Sequence, residues 1–413
     1  MARVSSFRDW ATRVTGCLEF EEPRLSNPIA AEFSDYIMSR ENLLIVADSE
    51  HDANMLYAVR MFVPDPFVYF RLNGKCHVVM NDLEIDRARE QARHCRVISL
   101  SQCQKTLRKN GAQKTDVTQV IRLIMQSKRL KKIFVPHSFP FGLARELQKL
   151  KIKVKVKPGH FFPDREFKTA EEVKKISAAL IMAEVGLAEG IQALKNAKIG
   201  RQRRLMYHNV PLTSEKLRAI INTAIVQAGG AASHTIVAGG KQGCDPHEQG
   251  HGVLRAHEPI ILDVFPRSQK TGYFGDITRT VVKGRASEPL RKLYHTVERG
   301  QELAFEQMRN TIPCRIVHEK VQNFFQQEGY KTGKLDGRMQ GFFHGTGHGL
   351  GFEIHEAPRV GGSSPDILRK RHVVTVEPGL YYAELGGVRL EDVALITGNG
   401  LRNLTKFEKV LEI

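Results

Sequence analysis

The stretches VVTVEPGLYY (373–382) and GVRLEDVALIT (387–397) set two glutamates, Glu377 and Glu391, inside runs of valine, leucine and tyrosine that read as β-strands. Three earlier segments repeat the pattern. IILDVF (260–265) carries Asp263, YFGDITRTVV (273–282) carries Asp276, and FFHGTGHGLGF (342–352) carries His348. A carboxylate in an apolar strand either finds a partner or gives up its charge, because unpaired burial is expensive. Four carboxylates and one imidazole are most simply matched by a pair of divalent cations. The oxygen-rich set with one nitrogen suits manganese, cobalt, zinc or iron.

Each segment has features of its own. Asp263 and Asp276 lie on two strands joined by a turn-rich connection, PRSQKTG (266–272), so antiparallel pairing brings both carboxylates to one face, with Thr278 beside Asp276. The glycines of HGTGHGLG (344–351) permit close backbone approach around a metal. His344, His348 and His355 are spaced by four and seven residues within that glycine-rich stretch, which favours a functional over a structural role. Glu377 precedes Pro378-Gly379, a turn that puts its carboxylate at a strand end. Arg389 and Glu391 share one strand face, opposite Val388, Leu390 and Asp392, so Arg389 points into the same pocket and can hold a ligating carboxylate.

The chain of 413 residues is long enough for two domains. Hydrophobic content of 41% and charged content of 26% are those of a globular protein. A net charge of +17, gathered in runs such as KRLKK (128–132) and RQRR (201–204), reads as a solvated basic face, since no nucleic-acid motif accompanies it. Six cysteines without a CxxC pair imply reduced thiols in a cytoplasm, with Cys244 a small packing residue. The first twenty residues hold no apolar run of signal-peptide length, and no run approaches a membrane span.

Strands are expected at 43–47, 67–70, 76–80 and 133–137, with Asn73-Gly74 as a hairpin turn. Helices are expected at 82–94, 116–125 and 142–150. The alternating KIKVKVK (151–157) reads as a strand near a sheet edge. PGHFFPDR (158–165) marks a boundary. After it, Thr169 caps a helix running towards Leu194, with glutamates in its first turn, and a second helix spans 214–227. The basic loop 196–212 carries no assignable pattern.

Taken together, GDITRT, HGxGHGLG, TVEPGLYY and VRLED resemble the pita-bread metallopeptidases, the family of methionine aminopeptidase, Xaa-Pro aminopeptidase and prolidase. The resemblance implies an α/β N-terminal domain of the creatinase and prolidase type (1–165) and an α+β pita-bread catalytic domain (166–413). It implies two divalent metal ions, manganese first among them, held by Asp263, Asp276, His348, Glu377 and Glu391. Asp263 would chelate one ion and Asp276 bridge both. Here the chain departs from the family. Thirteen positions separate the two aspartates, about two more than usual, and a one-residue slip in register would turn Asp276 away.

The same resemblance makes Glu377 the general base, His355 the proton-handling or oxyanion-stabilising group, and His344 a wall of the substrate pocket. His247 and Arg389 would face substrate as well, and Arg359 would bind a substrate's terminal carboxylate. The expected activity is release of an N-terminal residue that precedes proline from a di- or oligopeptide. A homodimer without nucleic-acid or membrane partners is implied. Residues 1–165 disfavour methionine aminopeptidase, and the full ligand set disfavours the metal-free creatinase. The rival from another class is a catalytically inactive pita-bread module that binds nucleic acid or protein through its basic surface.

Overall fold

The computed structural model describes residues 41–335 and 337–413. The expectation for the first twenty residues, and Cys17 with it, lies outside that range.

The first sheet has six strands: β1 (Leu43–Ala47), β2 (Phe67–Leu72), β3 (Lys75–Met80), β4 (Arg96–Ser99), β5 (Lys132–Val135) and β6 (Lys153–Val156), in the order β4-β3-β2-β1-β5-β6. The β2–β3 hairpin turns at Asn73 and Gly74, both at positive φ, as a tight hairpin turn of that sequence requires. The lysine-rich strand β6 is the edge strand, where its charges discourage further pairing. Helices α1 (Ala53–Val59), α2 (Ile85–Gln91), α3 (Leu100–Lys109), α4 (Val117–Ser127) and α5 (Phe141–Lys149) cover the sheet's two faces, each with its own apolar cluster. Sequence patterning marked neither α1, which is only seven residues long, nor the β4–α3 segment, where Cys103 and Leu107 are buried but Val97, Ile98 and Leu100 only half-buried.

The second unit is built twice over from a helix pair followed by antiparallel strands. Helices α6 (Ala170–Asn196) and α7 (Ser214–Gln227) back the sheet β7 (Ile236–Gly239), β8 (Pro259–Val264) and β9 (Ile277–Val282). Helices α8 (Glu288–Gln307) and α9 (Cys314–Gln327) back a five-stranded sheet. Its strands are β10 (Gly347–Gly349), β11 (Glu356–Val360), β12 (Val373–Val376), β15 (Asp392–Ile396) and β16 (Leu401–Asn403), in the order β11-β10-β12-β15-β16. Strands β13 (Gly379–Tyr382) and β14 (Gly386–Arg389) form a hairpin between β12 and β15. A bridge between Thr278 and Glu391 joins the two sheets. The unassigned basic loop folds as a small antiparallel sheet over Lys198–Ile199, Leu205–Tyr207 and Val210–Pro211.

Helix α6 begins as a full capping box. The Thr169 hydroxyl accepts from the Glu172 amide, and Glu172 accepts from the Thr169 amide at 2.9 Å. By length and composition α6 could cross a membrane, but Ile176, Leu180 and Leu187 are fully buried in the core. The other Glu172 oxygen accepts from the Tyr273 hydroxyl (2.8 Å) and from Arg60 of the first unit (3.2 Å). Arg60 also donates to the Tyr273 hydroxyl, so one carboxylate ties the cap, the 266–275 connection and the N-terminal unit together.

Burial would raise the Glu172 pKa, but hydrogen bonds from Thr169 and Tyr273 and the Arg60 charge bring it below the ordinary value. A folded-state pKa below the unfolded one means stability present above about pH 4.5 and lost as pH falls through the folded value. Glu172→Gln is therefore expected to lose about 1–3 kcal/mol at pH 7, with the gap to the parent closing below pH 4.5. A gap unchanged to pH 3 in thermal melts contradicts this.

Candidate metal and substrate site

All five expected ligand side chains, Asp263, Asp276, His348, Glu377 and Glu391, line one cavity of 670 Å³, together with His247, His344, His355, Arg359 and Arg389. The longer interval between the aspartates leaves the register intact. Asp263 on β8 pairs directly with Thr278 on β9, so Asp276, two residues before Thr278, faces the same side. The connection closes on itself, with the Gly275 amide donating to the Pro266 carbonyl. Between those points it reaches the N-terminal unit, where the Arg267 guanidinium bonds the Glu50 carbonyl and lies over the Phe62 ring.

Asp276, His348 and Glu391 are buried, and one ligand atom from each lies within 4.8 Å of the others. The His348 Nε2 is 3.2 Å from Glu377 Oε1 and 3.8 Å from Asp276 Oδ2. Its Nδ1 faces the Gly349 carbonyl at 3.2 Å, which turns Nε2 toward the carboxylates. Gly347 and Gly349 flank it for a steric reason. A Cβ on either would run into a carbonyl oxygen, that of Thr375 at 2.0 Å or of Ala357 at 2.1 Å.

Burial and mutual repulsion dominate the electrostatics. Asp276 and Glu391 are pushed well above the usual carboxylate range by burial first and then by neighbouring carboxylates. Burial also raises Asp263, against the Arg389 charge. Glu377 differs. Burial would raise it, but the His348 hydrogen bond and the His344 and Arg389 charges hold it down to about 2. Asp263 Oδ1 is buried with no hydrogen-bond partner among the described residues. An orphaned carboxylate oxygen beside three converging ligand atoms fits a divalent cation, which would answer the repulsion and the missing partner at once.

Arg389 ends β14 with each nitrogen engaged. Nη2 bonds Asp263 Oδ2 (2.7 Å) and the Pro246 carbonyl (3.4 Å), Nη1 the Tyr381 hydroxyl (3.0 Å), and Nε the Thr278 hydroxyl (3.4 Å). It is a positioning group for Asp263. Glu391 lies in the break between β14 and β15 rather than within a strand. It accepts from the Thr278 hydroxyl at 2.7 Å. Thr375 donates to Glu377 (3.3 Å) and accepts from the His348 amide (3.1 Å).

The other expected residues form the walls and rim. His344 Nε2 is paired with the Tyr381 hydroxyl at 2.8 Å, and burial lowers its pKa to about 4. His355 packs on the His348 ring at 4.4 Å, and burial followed by the His348 charge lowers it to about 4 as well. His247, His355 and Arg359 are exposed. The Arg359 guanidinium has no protein partner among the described residues. Cys244 is half-buried and packs with Ile236, Ile261 and Tyr381 without lining the cavity itself.

Two residues were not found from sequence. Arg279, 1% exposed, bonds the carbonyls of Thr278, Glu391, Phe407 and Glu408 and pairs with Asp392 at 2.8 Å. It holds the backbone of two site strands from behind. Gln301 of α8 donates to the Val376 and Leu390 carbonyls, each one residue before a site glutamate. No periodicity signals either one.

Residues 174–398 match metallopeptidase family M24. The chain is 30% identical over 285 residues to an Xaa-Pro dipeptidase of Pyrococcus horikoshii, covering 68% of this chain and 75% of that protein. It is 30% identical over 248 residues to an Xaa-Pro dipeptidase of Pyrococcus furiosus, covering 60% of this chain and 65% of that protein. Among solved structures, an X-Pro aminopeptidase from Thermotoga maritima superposes with a TM-score of 0.76 at 20% identity, over 90% of this chain and 97% of that one. The prolidase from Pyrococcus furiosus gives 0.72 at 22%, over 90% and 98%. These likenesses extend across both units and agree with the pita-bread architecture.

Arg389→Lys keeps the charge but cannot serve Asp263 and Tyr381 together. Its metal affinity, read by calorimetry, is expected to fall about 10–100-fold with the fold retained. Unchanged affinity contradicts the positioning role.

Proposed function

The chain belongs to metallopeptidase family M24, a membership that implies divalent metal ions, and from that premise we propose that it hydrolyses the bond between an N-terminal residue and proline. The observation that carries the reading is the convergence of four carboxylates and His348 in one cavity, with an Asp263 oxygen that has no hydrogen-bond partner among the described residues. Two ions would be held by Asp263, Asp276, His348, Glu377 and Glu391. Manganese is the first choice because the set is mostly hard oxygen. Bound ions supply acidified water, available as hydroxide near neutral pH.

The chain's own residues do the rest. Glu377, held ionised, accepts the proton of the attacking water and passes it to the leaving imide nitrogen. His355, at the rim against His348, stabilises the developing oxyanion. A proline imide has no N–H, so a pocket walled by His344 and His247 selects its ring by shape rather than by a backbone hydrogen bond. Arg359, exposed and without a side-chain hydrogen-bond partner among the described residues, would pair with a substrate carboxylate. That favours a dipeptidase, whose substrate brings its carboxylate close to the scissile bond.

Residues 1–165 would then be the creatinase-like domain and 166–413 the catalytic one. The free thiols fit a cytoplasmic setting, and a homodimer follows from the family resemblance.

The test is hydrolysis of Gly-Pro, Ala-Pro and Ala-Pro-Pro by protein stripped of metal and refilled with manganese, cobalt or zinc. Faster cleavage of Gly-Pro and Ala-Pro than of Ala-Pro-Pro is expected, and silence with every metal despite metal binding overturns the proline assignment. Arg359→Ala should raise KM for Ala-Pro about tenfold or more with kcat little changed, and spare Ala-Pro-Pro. An equal loss on both peptides would remove the carboxylate role.

A further inference from the structure

Outside the metal cavity, the first unit holds two cysteines that the proposed reaction does not use. Strands β3 and β4 run parallel, with His77 opposite Arg96. One residue earlier on each chain segment stand Cys76 and Cys95. Neighbouring strands lie about 4.8 Å apart, inside the roughly 4.4–6.8 Å Cα range that a disulfide requires. Both side chains belong to the same apolar cluster, so they share a face of the sheet.

The surroundings separate the two thiols chemically. Cys76 is half-exposed, and its sulfur accepts from the Tyr69 hydroxyl at 3.2 Å. Cys95 is buried, and its thiol is 3.9 Å from the Ala58 carbonyl. The His94 ring, beside it in sequence, is fixed by the same carbonyl at 2.7 Å.

We propose that Cys76 and Cys95 are a reversible peroxide-oxidised dithiol, with Cys76 as the attacking thiolate and Cys95 as the resolving thiol. Cys76 sulfur attacks one oxygen of hydrogen peroxide, the O–O bond breaks, and hydroxide leaves, giving a sulfenic acid on Cys76. Cys95 sulfur then attacks the Cys76 sulfur and the S–O bond breaks. The thiol proton and the departing oxygen leave as water. In sum two thiols and one peroxide become one disulfide and two waters, with the peroxide reduced by the two electrons that the thiols lose.

The direction of attack has a physical basis. The hydrogen bond from Cys95 above all, with that from Tyr69 and the charges of His94 and Arg71, holds the Cys76 thiol down to about 6 against burial. The bond to Cys76, and then burial, push Cys95 up. Thiolate at Cys76 is thus available at neutral pH and the proton stays on its neighbour. Cys103 and Cys314, buried and raised by that burial, have no thiol beside them among the described residues.

A disulfide here would staple β3 to β4 beneath the segment that leads to the catalytic unit. Phe162 packs edge-on against Tyr69 at 6.3 Å, and Tyr69 is the residue hydrogen-bonded to Cys76.

The test uses the full chain, freed of metal, with hydrogen peroxide near equimolar to protein and non-reducing peptide mapping. A Cys76–Cys95 crosslinked peptide that a dithiol reductant dissolves is expected, while Cys103→Ser crosslinks as the parent does. Cys95→Ala should instead accumulate sulfenic acid on Cys76, trapped by dimedone. Cys76 should alkylate with iodoacetamide roughly tenfold faster than Cys103 at pH 7 in the native parent. Both thiols surviving peroxide, or a disulfide through other cysteines, overturns the proposal. If Cys95→Ala fails to fold, Cys95→Ser and the alkylation ratio in the parent decide it.

Discussion

The structure is organised around like charge in a dry place. Four carboxylates converge in one cluster, where burial and the neighbouring carboxylates raise the proton affinity of Asp276 and Glu391 while His348 holds Glu377 down. Such a cluster destabilises the fold unless it is matched by cation. The chain supplies part of the match itself. Arg389 faces Asp263, His348 faces Glu377 and Asp276, and Arg279 holds the backbone from the far side. The remainder is what divalent ions would provide, and the partnerless oxygen of Asp263 marks where the protein's own supply ends.

The fold serves this cluster by drawing ligands from two sheets and locking those sheets together. Asp263 and Asp276 come from the sheet behind α6 and α7, and the other three from the sheet behind α8 and α9. The seam is the Thr278–Glu391 bridge, a backbone pairing doubled by a side-chain hydrogen bond. Arg279 and Gln301 then fix the carbonyls next to the ligand positions, so ligand geometry is set by fully buried hydrogen bonds rather than by exposed loops. The N-terminal unit joins in through Glu172, Tyr273 and Arg60. The connection between the two aspartates is thereby a contact as well as a loop.

What was legible in the sequence was whatever carries a local signature. Carboxylates within or at the ends of apolar strands, glycines around His348, the Thr169–Glu172 cap and the Asn73-Gly74 turn each state their role within a few residues, and the structure has all of them, with Asp263 inside β8 and Asp276, Glu377 and Glu391 just beyond strand ends. Arg279 was not legible, because its acceptors at Phe407 and Glu408 lie more than a hundred residues away and an arginine in a strand reads as an outward residue. Arg389 was legible only in direction. That its nitrogens serve Asp263, Tyr381 and Pro246 depends on how β8, β13 and the 245–247 turn meet. The longer aspartate interval could not be judged from spacing, since register is a property of the paired strands. The basic 198–211 segment had no apolar period because its three strands are only two or three residues long.

The central claim is that this carboxylate cluster exists to bind metal. The direct measurement is equilibrium titration of the metal-free protein with manganese, followed by paramagnetic resonance and by thermal melting in the same samples. The account predicts two ions per chain, a melting temperature that climbs with occupancy, and loss of both effects in Asp276→Asn. Binding of no ion, or a melting temperature indifferent to manganese with the cluster intact, would contradict it.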